Sequence, residues 1–442
     1  MSDYNTKFIK IQDSSLVISK VEIKDREDEK GQNIYINIER PISITSHCEH
    51  CGCTDIVLKE YYHRTIKHIP GAFTECFLLL KSRRFKCKLC NKTFTEKFDF
   101  IDKNAVISKL LKIEMFEQSK VDTFTKTSKD LNISIASVFS EFELNTDISR
   151  LKLPEVLCID EVSVKTEFGT YALILYDPIN KKIIDVLPHR DNTYISSYLS
   201  KIHYDELNNV KFFITDLYSA YKNIFKNYFI KATHVVDAFH WIKLATQNMN
   251  DIRINVMNNY KKIAQNKVLS EEKGYGKFYK LLKNNGRLLT INPSNKPLAF
   301  FDQKIKNNPY DNEFTIQEAI EYMINNDEDL YESYCTLQNL YHIATTSTYG
   351  TIKERLGEWI RTELSKPKKD IGTFEETART YKAWFNEIQN SFIIYEKTQK
   401  RLSNGNIEGI NREIGVIKND SAGIQKFKII RAKIMYYFNK KN

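Results

Sequence analysis

Nowhere in the 442 residues is there a run of about 18 apolar side chains, and Met1–Lys7 opens without an apolar stretch of signal-peptide length. Neither a membrane-spanning helix nor secretion is expected, so the chain reads as soluble and intracellular. Cysteine is nearly missing outside one stretch: of eight, five fall within Cys48–Cys87 and a sixth is Cys90. In a reducing compartment this clustering favours metal over disulfides. A strong overall charge is also lacking, since the net is only +10 with a pI of about 8.9.

What charge there is lies unevenly. Tyr61–Lys97 holds nine Lys or Arg against two Glu, and Lys400–Asn442 holds ten against three acids. Together they exceed the excess of the whole chain, leaving the middle slightly acidic. Such clusters are electrostatic footprints for phosphate backbones, although solvated surface lysine gives the same count. At 42% hydrophobic content the chain can fill two or more cores.

Leu16–Ile23 and Ile34–Ile38 alternate about the charged turn Lys24–Gly31 and predict a β-hairpin. Cys48-x-x-Cys51 and Cys87-x-x-Cys90 follow, 35 residues apart, with strand-like Tyr61–Ile69 and Phe73–Phe85 between them, joined at Pro70-Gly71. Two tight thiolate pairs suit one tetrahedral structural Zn²⁺ in a zinc ribbon, a closed site without catalytic role. Cys53 could replace Cys51. Arg83, Arg84, Lys86 and Lys88 are expected to face DNA. Ala105–Glu117 reads as a helix, and Phe124–Phe142 as a helix-turn-helix: Thr127–Leu131 closes one helix, Asn132–Ser134 turns, and Ile135–Glu143 begins behind the N-cap Ser134. That would put Ser137 near the major groove.

The richest stretch is Leu151–Trp241. Val156–Asp160 and Lys211–Asp216 are apolar runs that each end on an aspartate, as buried strands of a largely parallel sheet do. Ligands collect at such strand ends, and a carboxylate there is costly to bury unless paired, protonated or bound to a cation. Thr170–Pro178 and Lys182–Leu187 add two strands, Asn192–Ile202 and Tyr218–Phe225 two helices, Lys231–Asp237 a fifth strand, and Phe239 onward another helix. This is the element order of a ribonuclease H-like α/β core. Glu408 is the best third carboxylate, in Ser403–Arg412 at a helix start. Ile407, Ile410, Ile414 and Ile417 stripe one face, leaving Glu408, Asn411 and Gly415 on its neighbour. Glu161 is expected to face away from Asp160 by strand alternation. Asp237 and His240 are placed behind the ligands with Asn411, though His240 reads equally as a packing residue. The 192 residues from Asp216 to Glu408 exceed a minimal core. Helical periodicity at Ile252–Asn266, Gly276–Lys283, Thr315–Asn325, Leu330–Thr346, Ile352–Leu364 and Phe374–Glu396 marks an all-helical insertion, with Trp359 and Trp384 in its core.

Four motifs carry a resemblance: Ile159-Asp160-Glu161, Thr215–Tyr221, Val236–Trp241 and Ser403–Asn411. With the ribbon and helix-turn-helix, they make nearly the whole chain resemble the DDE transposases of bacterial insertion sequences, in the zinc-ribbon-containing ISL-three-like family. The 415–419 segment is less basic than that family's usual run. The resemblance implies Asp160, Asp216 and Glu408 as the catalytic triad. Two Mg²⁺ (or Mn²⁺) ions would be held with Asp160 bridging, Asp216 on one and Glu408 on the other, which suits hard oxygen ligands. It also implies terminal inverted repeats and target DNA as partners, Arg412 and Lys418 among the DNA contacts, and a homodimer or larger assembly near the bacterial nucleoid. The expected domains are 1–100 (hairpin and ribbon), 101–150 (helix-turn-helix), 151–250 with 400–442 (catalytic core) and 251–399 (insertion). Two rivals stand beside this: a sequence-specific DNA-binding regulator with an inactive nuclease-like core, and a nuclease that cuts without joining.

Overall fold

The structure, a computed structural model, describes residues 9–11, 13–26, 31–42, 47–71, 74–265, 274–311, 313–404, 407–420 and 426–440. Part of the expected turn at Lys24–Gly31, together with Phe73, Asn266, Gly405 and Asn406 from the readings above, lies outside the described residues. Contacts divide the chain into two units, residues 1–149, 165–168 and 413–442, and residues 150–164 and 169–412.

In the first unit, β1 (Val17–Asp25) and β2 (Gln32–Glu39) form the expected antiparallel hairpin, and β3 (Ile56–Gly71) and β4 (Thr74–Cys87) the long hairpin of the ribbon. The sheet order is β1-β2-β4-β3, with β5 (Thr93–Thr95) on β4. β2 pairs with β4 in parallel, from Gln32↔Thr74 to Glu39↔Lys81, so hairpin and ribbon are one sheet. Alternation then buries Ile36, Ile38, Ile66, Leu78 and Leu80 against Ile9 and Ile11.

The helix expected from Ala105 begins only at Lys109, because the edge of β3 captures the preceding residues. Lys67 N–H donates to Val106 O at 2.8 Å and Ser108 N–H to Lys67 O at 3.0 Å. Ser108 then caps α1 (Lys109–Ser119). Next, α2 (Phe124–Leu131) ends on left-handed Asn132 (φ 49°), and α3 (Ile135–Leu144) starts where Ser134 Oγ accepts from Ser137 N–H at 3.1 Å. The helix Phe427–Lys440, which the sequence reading groups with the catalytic sheet, belongs by its contacts to this unit. Its Ile429 and Ala432 are buried with Leu111, Phe124, Val138 and Phe142.

The second unit holds a mixed sheet of order β10-β9-β6-β7-β8: β6 (Val156–Thr166), β7 (Gly169–Asp177), β8 (Lys182–Leu187), β9 (Phe212–Thr215) and β10 (Thr233–Val236). β6 is central, which is why Val156–Ile159 are buried without alternation. Helices α4 (Asn192–Leu199), α5 (Tyr204–Asn209, unforeseen) and α6 (Ser219–Tyr228) connect the strands, and Ile195, Leu199, Ile224 and Phe225 pack on Leu157, Ile159, Leu173 and Leu175.

Where two helices were read, α7 runs unbroken over Ala238–Ala264, since Trp241, Ala245, Met249, Ile252 and Val256 continue one buried stripe. Helices Tyr275–Asn285, Ile316–Asn325, Glu328–Thr346 and Tyr349–Ser365 share its core, with Trp359 and Trp384 buried as expected. The single helix expected over Phe374–Glu396 is instead Glu375–Ala383, Phe385–Asn390 and a short strand pair, β11 (Ile394–Tyr395) with β12 (Lys400–Arg401). Trp384 leaves helical backbone (φ −111°, ψ 20°), and the strand pair is held from outside, with Tyr395 OH donating to Glu155 at 2.9 Å and Arg401 to Ala344 O at 3.0 Å. Among the described residues, no helix is long and apolar enough to cross a membrane.

Candidate metal centres

Cys48, Cys51, Cys87 and Cys90 converge at the end of the β3/β4 hairpin, their sulfurs all within 4.8 Å of one another. The Cys48–Cys90 and Cys51–Cys87 pairs stand at 3.6 Å, close to the ~3.8 Å that Zn–S bonds of about 2.3 Å give at tetrahedral angles. The first knuckle closes through Gly52 N–H to Cys48 O at 2.8 Å, with Gly52 at φ +73°, a conformation glycine adopts without strain. Cys53 is outside the cluster, its sulfur accepting from Asp55 N–H at 3.3 Å, which removes it as a substitute for Cys51. The backbone N–H groups of Cys90 and Leu89 and the Cys51 thiol draw the Cys87 thiol down to about 6, while Cys51 and Cys90, which share hydrogen bonds with it, are pushed up; zinc requires all four as thiolates. Four soft ligands and no open position make this a structural zinc site.

The basic residues beside it divide. Lys86 and Lys88 are exposed, Lys88 paired with Asp55 at 2.9 Å, and Arg84 is partly exposed and paired with Glu60 at 2.8 Å. Arg83 overturns the expectation of a DNA contact. It is 5% exposed, binds Glu96 through Nε at 3.1 Å and Nη2 at 3.0 Å, and lies over the Phe85 ring. In the alternation of β4 it points inward. Arg83→Ala leaves the buried Glu96 with only Arg40, at 3.4 Å, and the residue-83 N–H as partners and is expected to cost about 2–3 kcal/mol, whereas Lys86→Ala stays within about 0.5 kcal/mol. Denaturant melts of the two variants decide this, and an Arg83→Ala chain as stable as the parent would overturn the assignment. Ser137 is half-buried, its hydroxyl 2.8 Å from Ser134 Oγ, while Arg412 is exposed and Lys418 partly so.

In the second unit, parallel pairing aligns Val156–Cys158 with Phe212–Ile214. Asp160 lies two residues beyond Cys158 and Asp216 two beyond Ile214, so the two carboxylates leave adjacent strands at one level. β9 pairs likewise with β10, Thr215 opposite Val236, which sets Asp237 at that level on the third strand. Asp216 follows a strand end as read. Asp160 does not, because β6 continues to Thr166 into its hairpin with β7. Both carboxyls are held above the ordinary 3.8, first by burial. Asp160 and Glu161 push Asp216 further up, while the charge of His240 opposes the rise at both aspartates. Asn411 Nδ2 donates to Asp160 Oδ2 at 3.0 Å, and Asn411 Oδ1 is a buried acceptor with no hydrogen-bond partner.

Asp237 is a positioning group. Its Oδ1 caps α7 through Phe239 N–H at 2.7 Å and its other oxygen accepts the Asn404 N–H, anchoring the chain just before the Glu408 helix. That helix, Ile407–Asp420, buries Ile407, Ile410 and Ile414 as the stripe predicts. Glu408 itself is exposed. Among the described residues, only the four cysteines form a group of three or more His, Cys, Asp or Glu with ligand atoms within 4.8 Å of one another. The three carboxylates are therefore not gathered to that separation.

A family model described as a transposase, the DDE domain of the ISL3 group, matches residues 157–434. The chain belongs to the ISL3 family of DDE transposases. A second model, described as the zinc-finger of transposase IS204/IS1001/IS1096/IS1165, matches residues 45–90 of this ISL3 transposase. No curated protein matches it.

The sequence reading of this ISL3-family chain weighed Glu161 by strand alternation alone and passed over His234. Glu161 does not simply face away: its charge acts on both aspartates, Arg190 binds it at 2.6 Å, and Tyr221 OH donates to it at 2.7 Å. Behind Asp216, His234 Nε2 lies 2.8 Å from Thr215 Oγ1, whose hydroxyl donates to Asp216 O at 2.8 Å. The one signal for His234 was a polar residue inside an apolar strand. Burial depresses its pKa from 6.5 to about 3. The folded chain thus binds fewer protons than the unfolded chain between those values, and the stability His234 contributes above pH 6.5 is lost as pH falls toward 3. The thermal midpoint should drop across that window, and less steeply in His234→Gln. Parallel acid limbs for the two chains would count against this.

Proposed function

We propose that this transposase binds the terminal inverted repeats of its insertion sequence and, with divalent metal, cuts the element's ends and joins them to target DNA. The observation that carries the reading is the pair Asp160 and Asp216, level on adjacent strands, half-buried, and held above the ordinary carboxylate range. Such a pair is costly without a cation, and an all-oxygen donor set with the unpartnered Asn411 Oδ1 suits Mg²⁺ or Mn²⁺. The sheet order, with β6 central and β7 and β8 on one side of it and β9 and β10 on the other, supports a ribonuclease H-like core.

In this reading Asp160 and Asp216 hold the metals, and Glu408, one helical turn before Asn411, completes the triad on DNA. Bound ions would supply charge stabilisation on the attacking and leaving oxygens of an in-line displacement. Asn411 fixes the rotamer of Asp160, and the Thr215 and His234 chain fixes the backbone at Asp216. His240 lies within electrostatic reach of both carboxylates. The pair α2 and α3 acts as the helix-turn-helix, with Arg84, Lys86, Lys88, Arg412 and Lys418 on phosphates. Two ends must be held together, so the working form is a dimer or larger.

The exposure of Glu408 favours the second reading, a DNA-binding regulator with an inactive core. A plasmid carrying candidate ends separates the readings when incubated with Mg²⁺, with EDTA, and with Asp216→Asn. Cutting and joining only with Mg²⁺ and the intact site supports transposition. Cutting alone leaves a nuclease, and binding alone leaves the regulator.

A further inference from the structure

Around the two aspartates the second unit leaves large rings in water. Tyr218 stands two residues after Asp216, its N–H donating to Asp216 Oδ1 at 3.2 Å, and is 45% exposed. Tyr171 is exposed to nearly the same degree, as is Phe239, the neighbour of His240. One arginine ties the two tyrosines to the site. Arg190 lies over the Tyr171 ring at 4.9 Å and binds Glu161 at 2.6 Å, while Glu161 takes the hydroxyl of Tyr221, whose ring meets Tyr218 edge-on at 4.8 Å.

We propose that this surface binds unpaired nucleotides of the DNA strand beside the scissile phosphate, with bases stacked on Tyr218 and Tyr171. The inference rests on the reading of Asp160 and Asp216 as a nuclease centre and deepens it by naming the state of the substrate. A paired duplex hides the faces of its bases in the stack and shows only edges in its grooves. Exposed rings offer faces, and a ring face is matched by a base that has left the stack. Arg190 adds the cation that such strand-binding surfaces combine with aromatics. A greasy peptide segment is the poorer occupant, because Arg190, Glu161 and the tyrosine hydroxyls interleave the rings with polar groups whose remaining water it would strip without replacing.

The full chain is tested in EDTA, where nothing is cut, by fluorescence anisotropy. The probes are a labelled oligothymidylate, a blunt duplex, and the same duplex with an unpaired overhang. Wild type should prefer the unpaired probes. Tyr218→Ala and Tyr171→Ala should each weaken them about fivefold or more and leave the blunt duplex unchanged, while Tyr218→Phe and Tyr171→Phe restore the preference. A wild type without preference, or alanine variants of unchanged melting temperature that bind all three probes like wild type, overturns the inference. Plasmid cutting with Mg²⁺ reads the nuclease centre separately. A chain that cuts but shows no ring dependence loses only this inference. Ring-dependent binding without cutting loses the nuclease reading and keeps an unpaired-strand site.

Discussion

Asp216→Asn should abolish strand cleavage, lowering its rate by more than the ~100-fold that loss of an outer hydrogen bond costs a metal site. Asparagine keeps the shape of the side chain and loses the charge and one of the two acceptor oxygens. The same change should raise the thermal midpoint of the metal-free chain. Burial, and after it the neighbouring Asp160 and Glu161, disfavours the ionised form of half-buried Asp216, and the amide removes that cost. Magnesium should therefore stabilise the parent and leave the variant nearly unmoved. Cleavage that survives in Asp216→Asn would end the assignment of Asp216 as a ligand, whatever the melting curves show.

Cys87→Ser should unfold the ribbon end of the first unit and leave the second unit standing. The local core there is little more than the ligands themselves, Cys48 and Cys87 buried with Phe85 and Phe94, too small to fold without the metal. Structural zinc binding is worth roughly 10–16 kcal/mol of apparent free energy in small zinc domains, so losing one thiolate removes a large part of the local stability. Limited proteolysis should open new cuts near residues 47–55 and 88–92, with fragments of the second unit intact. A strong chelator should reproduce the pattern in the parent chain. Cys53→Ser should not, because its sulfur lies outside the cluster. An unchanged digestion pattern in Cys87→Ser would show that the sheet holds the knuckles without metal.

Much of this was legible in the chain because the signals were local. The C-x-x-C pairs set two sulfurs each in a turn of four residues. Ser134 as a cap follows from its own hydroxyl and the amide three residues on. The strands before Asp160 and Asp216 announced themselves as unbroken apolar runs, since a central strand is covered on both faces. Where reading failed, the deciding partner lay far off. Arg83 counted as one of a basic cluster, and only the position of Glu96 opposite it turned a DNA contact into a buried ion pair. The 105–108 stretch has helix-compatible residues, yet Lys67 of β3 holds its backbone.

The sequence by itself determined the zinc ligands as two candidate pairs, an apolar strand leading into each of the two aspartates, and the periodicity of the helical layer. Tertiary structure alone decided that Asp160 and Asp216 stand level, that Asn411 reaches Asp160 from 251 positions further along the chain, that β2 joins β4 in parallel, and that the last helix packs beside Phe142. The reason is physical: a propensity, cap or periodic stripe is set by neighbours along the chain, whereas strand register and side-chain partnership depend on which distant surfaces exclude water together.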